Sequence, residues 1–223
     1  MHSRSVTFLA CVTACTVFAV PQAISAPSAL SITVASASGV PVAGTVVVAE
    51  PVASAPKPQP GQKAIMDQRN LQFVPEVLVV QTGTAIDFPN SDQVRHQVYS
   101  FSEAKFFQLG LYAGRAHDPV IFNRAGLVTL GCNIHDSMVG YIYVTDSPWY
   151  GRTGADGTVR LHDLAPGEYT VRIWHQLLDE SGPQLNSRLR LADGTAGSMS
   201  FHLRRPLRPS LHHHGADKKW EDY

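Results

Sequence analysis

Four residues in this chain carry side chains suited to binding a redox metal. Three lie in one short segment, Cys132-Asn-Ile-His135-Asp-Ser-Met138, and the fourth, His96, lies well upstream. Thiolate and thioether are soft donors that favour Cu(I), and imidazole accommodates copper in either oxidation state. Two imidazoles, one thiolate and a weak axial thioether form the donor set of a blue copper centre. The spacing C-x2-H-x2-M puts three donors on one loop and leaves the fourth to arrive from a separate segment. Taken singly, Cys132 reads as a buried thiol, His96 and His135 as surface residues, and Met138 as core filling. Their joint occurrence favours a single copper ion held by His96, Cys132, His135 and Met138.

The elements that must position these residues read as strands. Leu127-Val-Thr-Leu130 runs up to Cys132, and Val139 to Val144 leads away, with Tyr141 and Tyr143 alternating against Ile142 and Val144. His96 opens an extended stretch that reaches Phe101, after the loop Pro89-Asn90-Ser91-Asp92. Val77-Leu-Val-Val80 and Ile86-Asp-Phe88 are further strands. Val120-Ile-Phe122 and Leu127–Leu130 read as a hairpin around Asn123-Arg-Ala-Gly126. Earlier, Ser31 to Glu50 reads as two strands around a Ser38-Gly39 turn, followed by a proline-rich linker from Pro51 to Gly61. Thr158–Leu161, Tyr169–Trp174, Leu185–Leu191 and Met199–Leu203 read as strands beyond Pro148. No 3.6-residue period persists, so the expected fold class is all-β, a sandwich or barrel.

The loop CNIHDSMVG and the stretch IDFPNSDQVRHQVYSF together resemble the cupredoxins, in the amicyanin-like branch and the plastocyanin-like type associated with methylamine utilisation. The resemblance spans residues 62–146. It implies a Greek-key β-sandwich, a type 1 copper ion cycling between Cu(I) and Cu(II), one-electron transfer, and a His135 ring edge near the surface. It also implies His96, Cys132, His135 and Met138 as the ligands. Gln97, Arg95, Ile134 and Leu130 depart from the family's usual residues around these ligands. Asn90 reads as a turn residue, with a bridge between the ligand loops as the alternative.

Thr153-Gly-Ala-Asp-Gly157 and Leu164-Ala-Pro-Gly-Glu-Tyr-Thr-Val171, with GVPVAGTVVV near the start, resemble transthyretin-like or carboxypeptidase-regulatory-like sandwiches. Neither flank has strands enough to bury two faces alone. The expected organisation is a signal peptide (1–26), the first strands of a transthyretin-like sandwich (27–55), the cupredoxin domain (62–146), the remainder of the transthyretin-like sandwich (147–205) and a flexible tail (206–223).

Arg4, the apolar run from Val6 to Val20 and the small residues before Pro27 read as a secretory leader cleaved after Ala26. Lipid attachment at Cys15 is the rival reading. Of 3 cysteines in the 223-residue chain, only Cys132 lies beyond the leader, so export leaves a thiol with no disulfide partner. A bound metal would occupy it. Lys+Arg and Asp+Glu both number 18, which excludes the clustered basic excess of a nucleic-acid binder. No segment is long and apolar enough to span a bilayer. No Ser-His-Asp order, paired carboxylates or phosphate-cradling glycine loop is visible, so the chain reads as a non-enzyme. His117, His162, His175 and His202 read as surface or half-buried residues, and His212–His214 as a solvated tail. The expected function is periplasmic one-electron transfer between unidentified redox proteins. A copper carrier or store, and a metal-free secreted interaction module, are the alternatives.

Overall fold

The computed structural model describes residues 28–53, 56–59, 61–114, 118–178 and 185–209. The expected leader, His117 and the His212–His214 run lie outside the described residues. Within them every regular element is a strand. The chain opens with β1 (Ser28–Ala35) and β2 (Val46–Pro51). A central stretch supplies β3 (Lys63–Ile65), β4 (Asp67–Arg69), β5 (Gln72–Val74), β6 (Val77–Gln81), β7 (Thr84–Asp87), β8 (Tyr99–Ser102), β9 (Lys105–Gln108), β10 (Val120–Phe122), β11 (Gly126–Gly131) and β12 (Val139–Thr145). The chain then forms β13 (Tyr150–Arg152), β14 (Thr158–Leu164), β15 (Gly167–Trp174), β16 (Leu185–Leu191) and β17 (Ala196–His202).

The central strands make a five-stranded sheet in the order β6-β12-β11-β8-β9 and a three-stranded sheet in the order β10-β7-β3. The two sheets bury Ile86 and Phe122 against Val80, Val128, Leu130, Ile142 and Val144. The flanks make two other sheets, β14-β1-β17 and β13-β2-β15-β16. Leu30, Ile32 and Val34 of β1 pack there against Val47, Val171 and Ile173. Strands from the two ends of the chain thus share one core, and neither end could bury its apolar face without the other.

The Val46-Val47-Val48-Ala49 run has a physical reason for not alternating. Val47 and Ala49 face the flanking core. Val46 and Val48 face the other way, onto Val77 of β6, with Val79, Tyr141, Tyr143, Tyr150 and Trp174 around them. A strand covered on both faces reads as continuous hydrophobics. The same contact explains β12: Ile142 and Val144 enter the central core, while Tyr141 and Tyr143 meet the Trp174 ring at 5.5 and 6.0 Å. Arg152 adds a bond across the junction, donating from Nη1 to the Val77 carbonyl at 3.0 Å.

Two local expectations are corrected. Val120–Phe122 does not form a hairpin with the strand that follows. It pairs with β7, Val120 opposite Ile86, whereas β11 pairs with β12 and β8. The turn at residues 123–126 carries the chain from one sheet to the other, with Gly126 at φ 144° making a crossing that L side chains rarely adopt. The two strands expected within Ser31 to Glu50 are present as β1 and β2, in different sheets. His175 is neither superficial nor half-buried: it is 5% exposed, wedged between the Ala43 carbonyl and the Leu177 amide. Beyond β17, Leu207 rests against the flanking core and the Arg208 amide donates to the Leu177 carbonyl.

Candidate metal centre

The strand register places the site. Gly131, the last residue of β11, pairs with Val139, the first of β12. That pair closes a loop whose first residue is Cys132 and whose last is Met138. Gly131 also pairs with Tyr99 on its other side. Continuing antiparallel past that pair sets His96 and Gln97 beside Cys132 and Asn133. A 2.6 Å hydrogen bond from Asn133 Nδ2 to Gln97 Oε1 ties the two segments together. His96 is not in a strand; its amide and carbonyl exchange 3.0 Å bonds with Tyr112. The approach of β8 to β11 is close because residue 131 is glycine: a Cβ there would lie 2.6 Å from the Tyr99 ring.

One donor atom from each of His96, Cys132 and His135 lies within 4.8 Å of the others. Cys132 Sγ is 3.8 Å from His96 Nδ1, and the two imidazole rings meet edge-on with centroids 5.1 Å apart. Donors bonded at ~2.0–2.3 Å to one ion stand roughly 3.5–4 Å from each other, so the sulfur–nitrogen separation is that of two ligands sharing a metal. His96 is wholly buried and Cys132 is buried, whereas His135 is partly accessible. Met138 is also buried, in the same apolar cluster as Cys132, and its amide donates to the His135 carbonyl at 2.9 Å. His135 Nδ1 is buried with no hydrogen-bond partner. A buried unpaired acceptor is costly, and a coordinate bond is one way to satisfy it. Burial in the low-dielectric loop, then the neighbouring His96, pushes the His135 pKa below its ordinary value. Both effects favour the neutral imidazole that metals bind.

The surrounding polar groups hold this geometry. His96 Nε2 lies 2.8 Å from Asp92 Oδ2. The carboxylate also accepts from the Asn70 amide at 2.6 Å and the Leu71 amide at 3.0 Å. Burial opposes ionisation of Asp92, but the bonds from Leu71, His96 and Asn70 outweigh it and lower the pKa. Asn90 donates from Nδ2 to the Val94 and Tyr112 carbonyls, both at 2.9 Å, and accepts from the Asp92 amide. It therefore shapes the segment before His96, as a turn residue does, and makes none of these bonds to the cysteine loop. The link between ligand segments falls instead to Asn133 and Gln97. Tyr112 donates to the Phe88 carbonyl and accepts from Gln68. Burial pushes its phenol up to about 12, against the Gln68 bond and with help from Asp67 and Cys132. Asp92 and Tyr112 escaped the sequence reading. The only available signal for Asp92 was an acidic residue four positions before a candidate ligand, in a segment that reads as loop.

The remaining described histidines are not part of this group. His162 and His202 are exposed, and His175 lies at the flanking sandwich's junction.

No protein-family model matches the sequence, and no curated protein does. Among solved structures, part of the chain is similar to a copper-containing nitrite reductase from Thermus scotoductus SA-01. The match has 24% identity and a TM-score of 0.36, and covers 43% of this chain but 25% of that one. A purple cupredoxin from Nitrosopumilus maritimus matches over its full length and 38% of this chain, at 21% identity and a TM-score of 0.33. A point variant of amicyanin in its reduced state matches at 18% identity and a TM-score of 0.34, covering 41% of this chain and 96% of that one.

Proposed function

We propose that the chain is a periplasmic blue copper protein that passes single electrons between partner proteins. Cys132 as thiolate, His96 and His135 as neutral imidazoles, and Met138 as a weak axial donor would hold the ion. The observation that carries this reading is a buried thiol, alone among the described cysteines, whose donor atom shares a 4.8 Å cluster with two imidazoles. When bound, copper supplies a one-electron Cu(I)/Cu(II) couple in a site whose soft donors suit both states. The chain's own contribution is rigidity and dryness. The Gly131–Val139 pair closes the ligand loop, the Gln97–Asn133 bond fixes its distance from His96, and the apolar cluster excludes water from the sulfur.

Access is confined to the His135 side. His135 is the partly exposed ligand, and its neighbour Ile134 is 50% exposed, an apolar contact of the size that brief redox encounters use. In this reading residues 1–26 are a cleaved export leader. The central sandwich is an inserted cupredoxin domain, and the flanking sandwich is a transthyretin-like scaffold.

The test is metal analysis and an optical spectrum of the purified mature protein after Cu(II) addition. One equivalent of copper and an intense visible thiolate band are expected, with the band lost in Cys132→Ser while β-rich circular dichroism is retained. A colourless protein with no bound copper overturns the reading. Release of the metal to a chelating acceptor protein within one redox cycle would instead mark a carrier.

A further inference from the structure

We infer that Asp92 is a positioning residue for the candidate metal centre, and that through it the β4–β5 turn becomes part of the site. This rests on the proposed function, because it concerns the same His96.

Asn70 and Leu71, the two residues between β4 and β5, both have positive φ, 53° and 58°. Neither is glycine, and a branched leucine in the left-handed region costs free energy unless its surroundings compensate. The compensation is visible. In this conformation both backbone amides converge on one carboxylate, Asn70 N on Oδ1 and Leu71 N on Oδ2 of Asp92. Successive amides aimed at one point make an anion-binding nest. A side chain of the protein fills it.

The same carboxylate faces His96, whose Nε2 lies 2.8 Å from Oδ2. His96 is wholly buried, so water cannot stand in for this partner. An ionised carboxylate only accepts, so Nε2 must carry the proton. The bare nitrogen of the neutral ring is then Nδ1, the atom 3.8 Å from Cys132 Sγ. Asp92 thus selects the tautomer that points a lone pair at the thiolate side. It also fixes the ring plane and makes Nδ1 a stronger donor. Partners of this kind matter to a metal about as much as the ligands do, with losses of 10–100-fold in affinity when they are removed.

Position alone does not place Asp92 there. It is anchored at its own amide, which donates to Asn90 Oδ1 at 3.0 Å. Asp67 occupies the neighbouring Arg69 and Ser91 side chains through its own carboxylate. Asp92 is therefore left to the amide nest and to His96.

The substitution Asp92→Ala removes both oxygens, whereas a flipped amide in Asp92→Asn would still present its oxygen at the Oδ2 position that His96 and the Leu71 amide share, so the alanine variant is the one that deprives His96 of its acceptor. The first measurement needs no copper. Long-range 15N–1H correlation spectra of the metal-free chain, at a pH where imidazoles are neutral, should show His96 in the wild type as the Nε2–H tautomer. In Asp92→Ala that signal should shift toward the Nδ1–H form. A wild-type ring protonated on Nδ1, or a tautomer unchanged by the substitution, overturns the inference. The wild-type arm stands even where the variant fails to fold.

The second measurement is competition titration with a Cu(I) chelator. The expected loss in Asp92→Ala is 10–100-fold, read in the folded baseline of the variant. Unchanged copper affinity in a variant whose tautomer has shifted overturns it as well. Failure of the wild type itself to bind copper sinks the proposed function and leaves the tautomer result to judge Asp92 on its own.

Discussion

The central and flanking sandwiches are built from the same materials and differ in what their polar side chains bond to. In the flanking sandwich and its junction these groups cap backbone. Thr153 Oγ1 donates to the Val42 carbonyl and accepts from the Thr45 amide. Ser147 Oγ donates to the Ala49 carbonyl, and Ser28 Oγ to the Ala192 carbonyl. In the central sandwich side chains also bond to one another around the candidate site: Asp92 to His96, Gln68 to Tyr112, Asn133 to Gln97, Ser91 to Asp67. A hydroxyl on a carbonyl repairs a local defect in a sheet. Paired side chains around an imidazole hold a shape, which is the requirement of a site.

The comparison breaks most directly in the cores. Ile32 and Ile142 are both fully buried, one in each sandwich. Either substitution to Ala should cost about 2–5 kcal/mol, the ordinary range for a buried large-to-small change. The consequences should differ. Ile142 lies on β12, the strand that leaves the ligand loop, and Ile142→Ala should weaken copper retention as well as stability. Ile32→Ala should lower the unfolding midpoint and leave the metal-binding isotherm of the folded protein unchanged. Urea unfolding followed by circular dichroism, beside copper titration in the folded baseline, reads both. Equal loss of copper affinity in the two variants would show that the flanking core also holds the site's shape.

Gly131→Ala sharpens the comparison at closer range, with an expected cost of about 1–3 kcal/mol from overpacking. Its new Cβ would sit 2.6 Å from the Tyr99 ring, so β8 must move away from β11, taking Gln97 and His96 with it. Gly151→Ala in the flanking sandwich meets Val159 Cγ2 at 2.7 Å and has no ligand behind it. Copper affinity should fall in the first variant and hold in the second, measured by the same chelator competition.

How far the sequence revealed this arrangement depends on the range of the interaction. The strands around Cys132 and the alternation of β12 follow from local pattern, and the residues that meet in the cluster were named by type and spacing. The sheet partners were less visible. Val120–Phe122 and Leu127–Leu130 look like a hairpin because a turn joins them, and nothing local records that Ile86 is the partner of Val120. The unbroken Val46–Ala49 run read as strand alone, and nothing local recorded that both of its faces are covered. Asp92 was silent for a similar reason: its role depends on the β4–β5 turn, which is remote in sequence, and loop residues show no periodicity. His175 read as surface or half-buried and, with Trp174 at a strand end, as packing; the placement of Ala43 against it decides for burial.

The two sandwiches each contain one histidine pushed below its ordinary pKa, and the smallest predicted effect separates them. Burial is the main cause at His175, aided by Arg152 and opposed by the Ala43 bond. Its Nδ1 accepts from the Leu177 amide at 3.1 Å, so the neutral ring carries its proton on Nε2, which donates to the Ala43 carbonyl at 3.2 Å. Protonation would set an N–H against the Leu177 N–H. With the folded pKa lowered, the unfolded chain binds the extra proton first. Stability is then complete above about pH 6.5, the unfolded value, and is lost as pH falls from there toward the folded pKa. His135 acts in the same direction in the metal-free protein, so the informative quantity is a difference. Urea midpoints of metal-free wild type and His175→Asn, followed downward from neutral pH, should converge as the wild type loses the His175 share. In the copper-loaded protein the His135 contribution is held by the metal, and the convergence should persist. Parallel curves in both forms would mean that the flanking imidazole tolerates its charge, and the contrast between a satisfied ring and an unsatisfied one would lose its thermodynamic content.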